Sequence, residues 1–337
     1  MTALGILWFI LIGVLMVGYF VLDGFDLGVG VLYPFLAKTE DDRQVMMRAI
    51  GPVWDGNEVW LLTAGGALFA AFAPAYATTF SGFYLAIMLV LFGLILRAVS
   101  VEMRAHEEDS RKLWDAFFFV GSLLPALLFG VAIGNILCCL PLNANGDYTG
   151  TFFALLNPFS LLCGVLTLTY MVFQGASWTA LKAGQDSKLR RRAAALRSKM
   201  GLVVAVVFVV VSAVYLLVVL PGATYNLGCA PLAAVAAVLL VACAFLVFVL
   251  CKADVAGKDL LAFLLASVGA ALMVVVLFAS MFPVIVPATD PALSLTIANS
   301  AATDATLKPM TIIACVGVPI MLVYHVIAYR AFRGRIG

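Results

Sequence analysis

Residues 182–222 read KAGQDSKLRRRAAALRSKMGLVVAVVFVVVSAVYLLVVLPG, and this stretch decides the fold. Seven Lys and Arg residues between Lys182 and Lys199 precede an uncharged, mostly apolar run over 200–220 that closes on Pro221-Gly222. About 20 apolar residues are what an α-helix needs to cross the hydrocarbon core of a bilayer. A strand of a membrane barrel is about half as long and alternates in polarity, which this run does not. Basic residues collect on the cytoplasmic side of a span, so 182–199 lies inside and the Pro-Gly turn outside. The basic stretch itself reads as an amphipathic or extended loop that anchors topology and touches anionic lipid.

The same alternation repeats along the chain. Basic clusters occur at Lys38/Arg43/Arg48, at Arg97/Arg104/Arg111/Lys112, at 182–199, at Lys252/Lys258 and at Arg330/Arg333/Arg335, which leaves only Lys308 of the 20 Lys and Arg elsewhere. Two crossings fit between consecutive clusters. The reading is an all-α integral membrane protein with nine transmembrane helices, over about 4–30, 53–73, 77–99, 115–138, 152–179, 200–220, 229–251, 260–282 and 309–331. Nine crossings put the N-terminus outside and the C-terminus in the cytoplasm. Composition agrees: 64% of the 337 residues are hydrophobic, 11% are charged and the mean hydropathy is +1.12. A soluble domain would carry about a quarter charged residues. The whole chain, 1–337, reads as one polytopic membrane domain with no soluble part. Its net charge of +2 is explained by topology and gives no reason to expect nucleic acid as a partner. The first residues lack the basic segment of a cleaved signal peptide, so the first apolar run reads as a retained helix.

Turn chemistry supports these boundaries at Pro74, at Pro141 with Asn143 and Gly146, and at Pro221-Gly222. The longest outer segment, Pro283–Pro309, exceeds a hairpin and is expected to fold over the outer surface. Small residues at Gly13, Gly18, Gly24, Gly28 and Gly65-Gly66-Ala67 mark helix–helix contacts, because helices in lipid associate by close packing. None of the seven cysteines has zinc or CxxC spacing. Cys163, Cys243, Cys251 and Cys315 read as small apolar residues, and Cys138, Cys139 and Cys229 lie near the outer face.

Charges inside the bilayer are expensive and therefore informative. Asp23 and Asp26 lie within GYFVLDGFDLGVG of helix one, and Asp55 and Glu58 within GPVWDGNEVWLLTAGGALFAAF of helix two. Each pair has i, i+3 spacing, which puts both carboxylates on one helix face. With helix one running inward and helix two outward, all four fall in the cytoplasmic half of the membrane. Arg97, Glu102 and Asp115 are expected at the same level. Clustered carboxylates in a low dielectric hold protons more tightly and can pass them inward from the cytoplasm. Asn57 and the indoles of Trp54 and Trp60 would orient them. The plainer alternative is that the acids bind each other, Arg97 and helix ends, and only fix packing. Asp55 and Glu58 are also favoured by the helix dipole in a first turn.

Two histidines, His106 in a cytoplasmic loop and His325 in helix nine, cannot supply the axial ligands of several haems. His325 reads as a buried hydrogen-bonding residue. No nucleotide loop, nucleophile–base pair or Cys/His metal cluster is present in the sequence, so no haem or metal ligand is assigned.

At the two acidic segments the chain resembles subunit II of the cytochrome bd-type quinol oxidases. DGFDLGVG and WDGNEVWLLTAGGALFAAF carry the resemblance, and FSGFYLAIMLVL, GNILCCLPLN, LLNPFSLLCGV and MFPVIVP extend it along the whole chain. The resemblance implies two four-helix bundles plus one extra helix, in the bacterial cytoplasmic (inner) membrane. It implies a haem-bearing partner, subunit I, with b-type haems, usually a d-type haem, and the quinol site. The complex would oxidise quinol and reduce O2 to water, taking protons from the cytoplasm and generating proton-motive force without pumping. Subunit II would hold no haem, stabilise subunit I and contribute a proton-uptake route. Asp55 is the position carried over to that route, with Asp23, Asp26 and Glu58 beside it. Some members hold a structural quinone or recruit a small accessory subunit. Here the segment Gly222–Gly228 is short where some members have a long one, so neither is assumed. A proton-coupled transporter is the alternative from another class. Against it, the acids crowd into helices one and two instead of recurring in two repeated halves.

Overall fold

Helix α1 (Ala3–Leu36) is 34 residues long, about 50 Å at 1.5 Å per residue, and exceeds the ~30 Å hydrocarbon core. The computed structural model describes residues 1–107, 109–252 and 258–336, and the side chains of Cys243, Cys251 and Lys252 lie outside the described residues. After α1 come α2 (Glu40–Ile50), α3 (Trp54–Ala71), α4 (Ala73–Gly82), α5 (Tyr84–His106), α6 (Arg111–Leu137), α7 (Pro158–Lys182), α8 (Lys188–Val214), α9 (Ala230–Lys252) and α10 (Asp259–Met281). A short hairpin of β1 (Val284–Val286) and β2 (Leu295–Thr296), the single-turn α11 (Ile297–Ser300) and α12 (Asp304–Ala331) complete the chain. Among the described residues seven helices are long and apolar enough to cross a membrane: α1, α5, α6, α7, α8 with its continuation to Gly222, α10 and α12. The chain is a multi-pass membrane protein. Helix α3 is short and acidic at its start, and α9 is apolar over Ala230–Ala242.

Helix α1 packs against α3, α6, α7 and α10, and touches α12. Helices α5 to α8 pack in sequence, α8 packs on α9 and α9 on α10. Helix α12 is the least buried of the long helices. The α1–α7 contact is closest at Gly28 and Gly175. A Cβ at Gly28 would lie 1.8 Å from the Met171 carbonyl oxygen, and one at Gly175 would lie 2.3 Å from the Gly28 carbonyl carbon. By contrast, Gly65 and Gly66, expected at a helix contact, face open space on this chain.

Three expected elements differ. The helix expected over 77–99 is two helices, α4 and α5, broken at Phe83 (φ −104°, ψ 19°). Tyr148 lies over Gly82, where a Cβ would come 2.8 Å from its own, and α5 runs on to His106 because Arg97 and Arg104 find carboxylates inside the fold. The segment expected as one helix over 152–179 begins as a 3-10 turn (Phe152–Leu156), after which Asn157 accepts from the Ser160 N–H at 2.9 Å and starts α7. The basic stretch 182–199 is not a loop beyond Ser187. Ser187 caps α8, and the basic residues from Lys188 are helical.

That helix explains its own charges. Arg190 and Arg197, two turns apart on one face, both reach Asp259 at the start of α10, at 2.8 and 3.1 Å. Arg335 joins them at 3.0 Å. Asp259, Arg190 and Arg197 are buried, so these residues clamp α8, α10 and the C-terminal segment together. The amphipathic α2 sits on the same basic side. Thr39 and Asp42 form its capping box. Although burial pushes the Asp42 carboxyl up, the Arg192 guanidinium and the N–H groups of Lys38 and Thr39 hold it below its ordinary range.

At the opposite end, residues 283–303 do fold over the surface. The Leu140 N–H donates to the Pro287 carbonyl at 2.8 Å, the Thr289 N–H to Leu140 at 2.9 Å and the Ala302 N–H to Ala71 at 2.8 Å. Val286, Ala288, Ile297 and Leu307 are buried beneath. Cys138, Cys139, Cys163, Cys229 and Cys315 are free thiols. Between α1, α7, α8 and α10 lies an apolar cavity of about 320 Å³, lined by Phe20, Phe159, Phe208 and Phe278 among others.

Candidate functional site

Of the four acids expected to cluster, Asp23, Asp26 and Glu58 lie around a single guanidinium, and Asp55 is exposed beside them. Asp23 and Asp26 of α1 are fully buried. Arg97 of α5, 1% exposed, places Nη2 2.7 Å from Asp23 Oδ1 and also hydrogen-bonds Glu58 of α3. Asn57 of α3 donates from Nδ2 to Asp26 Oδ2 at 2.7 Å and to the Leu22 carbonyl at 3.3 Å. Three carboxylates and one guanidinium thus share a largely buried junction between three helices. A buried charge is tolerated only when paired, and here the acids outnumber the base.

Helix α12 closes the site from outside. The Tyr329 hydroxyl donates to Asn57 Oδ1 at 3.0 Å, and Trp60 donates from Nε1 to His325 Nε2 at 3.2 Å. The Trp60 ring lies directly over Gly18, where a Cβ would come within 2.0 Å of it. Glycine is what lets the indole reach α12 past α1. Asp55, one turn before Glu58 on α3, is exposed and has no partner among the described residues, and neither has Trp54, which is half-buried. Asp115 and Glu102, expected at the level of Arg97, lie apart. Asp115 pairs with Arg104 and Arg43, and Glu102 is exposed.

Several members of the site were not anticipated. Tyr19 is fully buried beside Asp23, and both polar atoms of buried Gln174 lack hydrogen-bond partners. Gln174 sits against Gly24, between the two aspartates in sequence, where a Cβ would lie 2.5 Å from its Oε1. Asp26 Oδ1, Asp23 Oδ2, and Arg97 Nε and Nη1 also lack hydrogen-bond partners. So many unsatisfied buried polar atoms in one place mark a site that accommodates water. A glutamine in the middle of the apolar run 158–182 was the available sequence signal. Tyr329 gave none.

The two histidines have different surroundings. Both ring nitrogens of His325 are engaged, Nε2 by Trp60 and Nδ1 by the Met321 carbonyl at 2.9 Å. His106, the last residue of α5, is exposed, with Nδ1 against the Glu102 carbonyl at 2.9 Å. Among the described residues no three His, Cys, Asp or Glu side chains are grouped to hold a metal ion.

The model of the family "Cytochrome bd terminal oxidase subunit II" matches residues 4–332. This chain belongs to that family. Cytochrome bd-I ubiquinol oxidase subunit 2 of Escherichia coli (strain K12) is 36% identical, with 98% of this chain and 94% of that one covered. Cytochrome bd ubiquinol oxidase subunit 2 of Bacillus subtilis (strain 168) is 37% identical, with 100% and 98% covered. A chain in the structure of bd oxidase from Geobacillus thermodenitrificans superposes with a TM-score of 0.76 at 16% identity, covering 98% of this chain and 99% of that one. That likeness shows the fold. Membership in a subunit II family implies a subunit I beside this chain and haem in the complex. It sets aside the transporter reading.

Proposed function

We propose that this chain is the haem-free subunit II of a bd-type quinol:O2 oxidoreductase in the bacterial cytoplasmic membrane, and that its acidic junction takes up protons from the cytoplasm for reduction of O2 to water. The observation that carries the reading is the burial of Asp23 and Asp26 around one guanidinium that also serves Glu58. Acids held inside a membrane at this cost are seldom there for packing alone. With one base for three acids, the fully ionised site carries two excess negative charges, so a proton taken up brings it closer to neutral.

In the nine-crossing arrangement α3 and α9 join the seven long apolar helices, the junction lies in the cytoplasmic half and the cover 283–303 lies outside. Two four-helix bundles plus one extra helix leave α12 free to face subunit I, whose haems and quinol site supply the redox chemistry. This chain would stabilise that partner, and the complex would build proton-motive force without pumping. The 320 Å³ apolar cavity has room for part of an acyl or isoprenoid chain, including that of a structural quinone.

The test is quinol-driven O2 consumption by the assembled oxidase carrying Asp26→Asn or Asp55→Asn. The reading expects at least about a tenfold fall, roughly 1.4 kcal/mol on the limiting barrier, with haem content unchanged. Full turnover in both variants would sink the proton route. Loss of haem with loss of turnover would assign the acids to assembly alone.

A further inference from the structure

A second cavity, of about 770 Å³, opens on the basic side of the molecule. Its walls come from α2, the α2–α3 turn, the inner ends of α5, α7 and α12, and the C-terminal segment, including Val53, Glu102, Ala105, Tyr329 and Arg335. Every one of these segments belongs to, or adjoins, a basic cluster, so the cavity faces the cytoplasm in the topology above. Glu102 and Arg48 at its wall are exposed, which makes it a wet space. Tyr329 belongs to both structures at once. Its side chain lines the cavity, while its hydroxyl donates to Asn57, which donates to Asp26. Tyr329 therefore touches both the open cavity on the basic side and the hydrogen-bond chain that ends on a buried acid.

Resting on the reading of the acidic junction as a proton site, we infer that protons reach Asp26 through this vestibule, past Tyr329, and not solely by way of Asp55. Asp55 is exposed on α3 and has no contact with Asp26, whereas the vestibule reaches the hydrogen-bond chain that ends on it. Among the described residues that line the vestibule Glu102 is the one carboxylate, and it is placed to collect protons there. The chain Tyr329–Asn57–Asp26 does not itself carry a proton, because the Asn57 amide donates to Asp26 from a nitrogen that does not exchange its proton for another from the oxygen side. Tyr329 is a positioning residue. It holds Asn57 on one oxygen of Asp26 and leaves the other, Oδ1, which is buried and unpartnered, for water arriving from the vestibule.

The experiment uses the assembled oxidase with Tyr329→Phe, Glu102→Gln and Asp26→Asn, measuring O2 consumption with excess quinol from pH 6 to 9 alongside haem content. Tyr329→Phe keeps the ring and removes the hydroxyl. The expected result is about a tenfold loss, the size of one hydrogen bond at the limiting step, which deepens at high pH where protons are scarce. A purely packing role would leave the pH profile unchanged in shape. Glu102→Gln should show a smaller loss with the same trend. Wild-type turnover and pH profile in Tyr329→Phe, with Asp26→Asn slowed, overturns the vestibule and leaves the acid junction standing. Wild-type turnover in both overturns the junction reading itself. Should Tyr329→Phe fail to assemble, Ala105→Cys decides. Treated with a membrane-impermeant cationic thiol reagent, alongside the unsubstituted oxidase treated identically, it should lose turnover as the label goes on. Complete labelling without loss overturns the inference.

Discussion

Replacing Arg97 by Leu should leave little or no assembled oxidase in the membrane. Arg97 is 1% exposed, and the carboxylates it serves, Asp23 and Glu58, reach it from α1 and α3. Removing one partner of a buried ion pair costs about 3–5 kcal/mol, because the surviving charge has neither water nor counter-ion. Here two carboxylates lose the one cation that pairs with them among the described residues. A protein whose whole stability is about 5–15 kcal/mol does not absorb that easily. Arg97→Lys should recover part of the yield, since a single ammonium restores the charge but not a planar fork that reaches two helices. The decisive variant adds Asp23→Asn and Glu58→Gln to Arg97→Leu. With the charges removed together, haem-containing complex should return while quinol-driven O2 consumption stays low. Normal amounts of complex with Arg97→Leu alone would mean that the acids are already neutral, or hydrated, without the guanidinium.

The sequence exposed the acids of this site more clearly than their base. Asp23, Asp26, Asp55 and Glu58 stood out because any carboxylate in an apolar run is costly, and the i, i+3 spacing set their faces. Arg97 was expected at the level of the acids and as a partner for them, but it also counted as one member of a basic cluster, so its full burial was not legible. Hydropathy counting treats a basic residue one turn inside a helix like one just beyond it, and only the carboxylates across the junction show that α5 carries it within the fold. The same reason hid the α8 clamp. Arg190 and Arg197 are separated by two helical turns, but nothing in 182–199 names Asp259 as their common partner. Gly65 and Gly66 failed in the opposite direction. Small residues do mark close packing, yet this pair packs on nothing within the chain, so the rule identified a contact face without identifying whose it is. Tyr329 lies 272 positions from the asparagine it binds, a pairing that only the docking of α12 on α3 creates.

The second large effect is expected from one methyl group at Gly28. Its Cβ would lie 1.8 Å from the Met171 carbonyl oxygen and 2.9 Å from the Gly175 backbone nitrogen. Those atoms are main chain in the middle of α7, so no side-chain rotation relieves the clash and the helices must separate. Overpacking a well-packed interior costs about 1–3 kcal/mol where side chains can give way, and Gly28→Ala should lie at or above the top of that range. Helix association in lipid draws on close packing with no hydrophobic force to offset the lost contact. Separation also moves the Asp23–Asp26 segment of α1 away from Gln174, so turnover should fall further than the amount of complex does. Gly175→Ala addresses the same contact from α7 and should match it, while the double variant should cost less than the sum, since one separation accommodates both methyls. Thermal loss of the haem spectrum in detergent measures the stability, and O2 consumption per haem measures the rest. A Gly28→Ala oxidase as heat-resistant as the unsubstituted one would show that α1 and α7 do not meet backbone to backbone, and the placement of both aspartates against Gln174 would have to be redrawn.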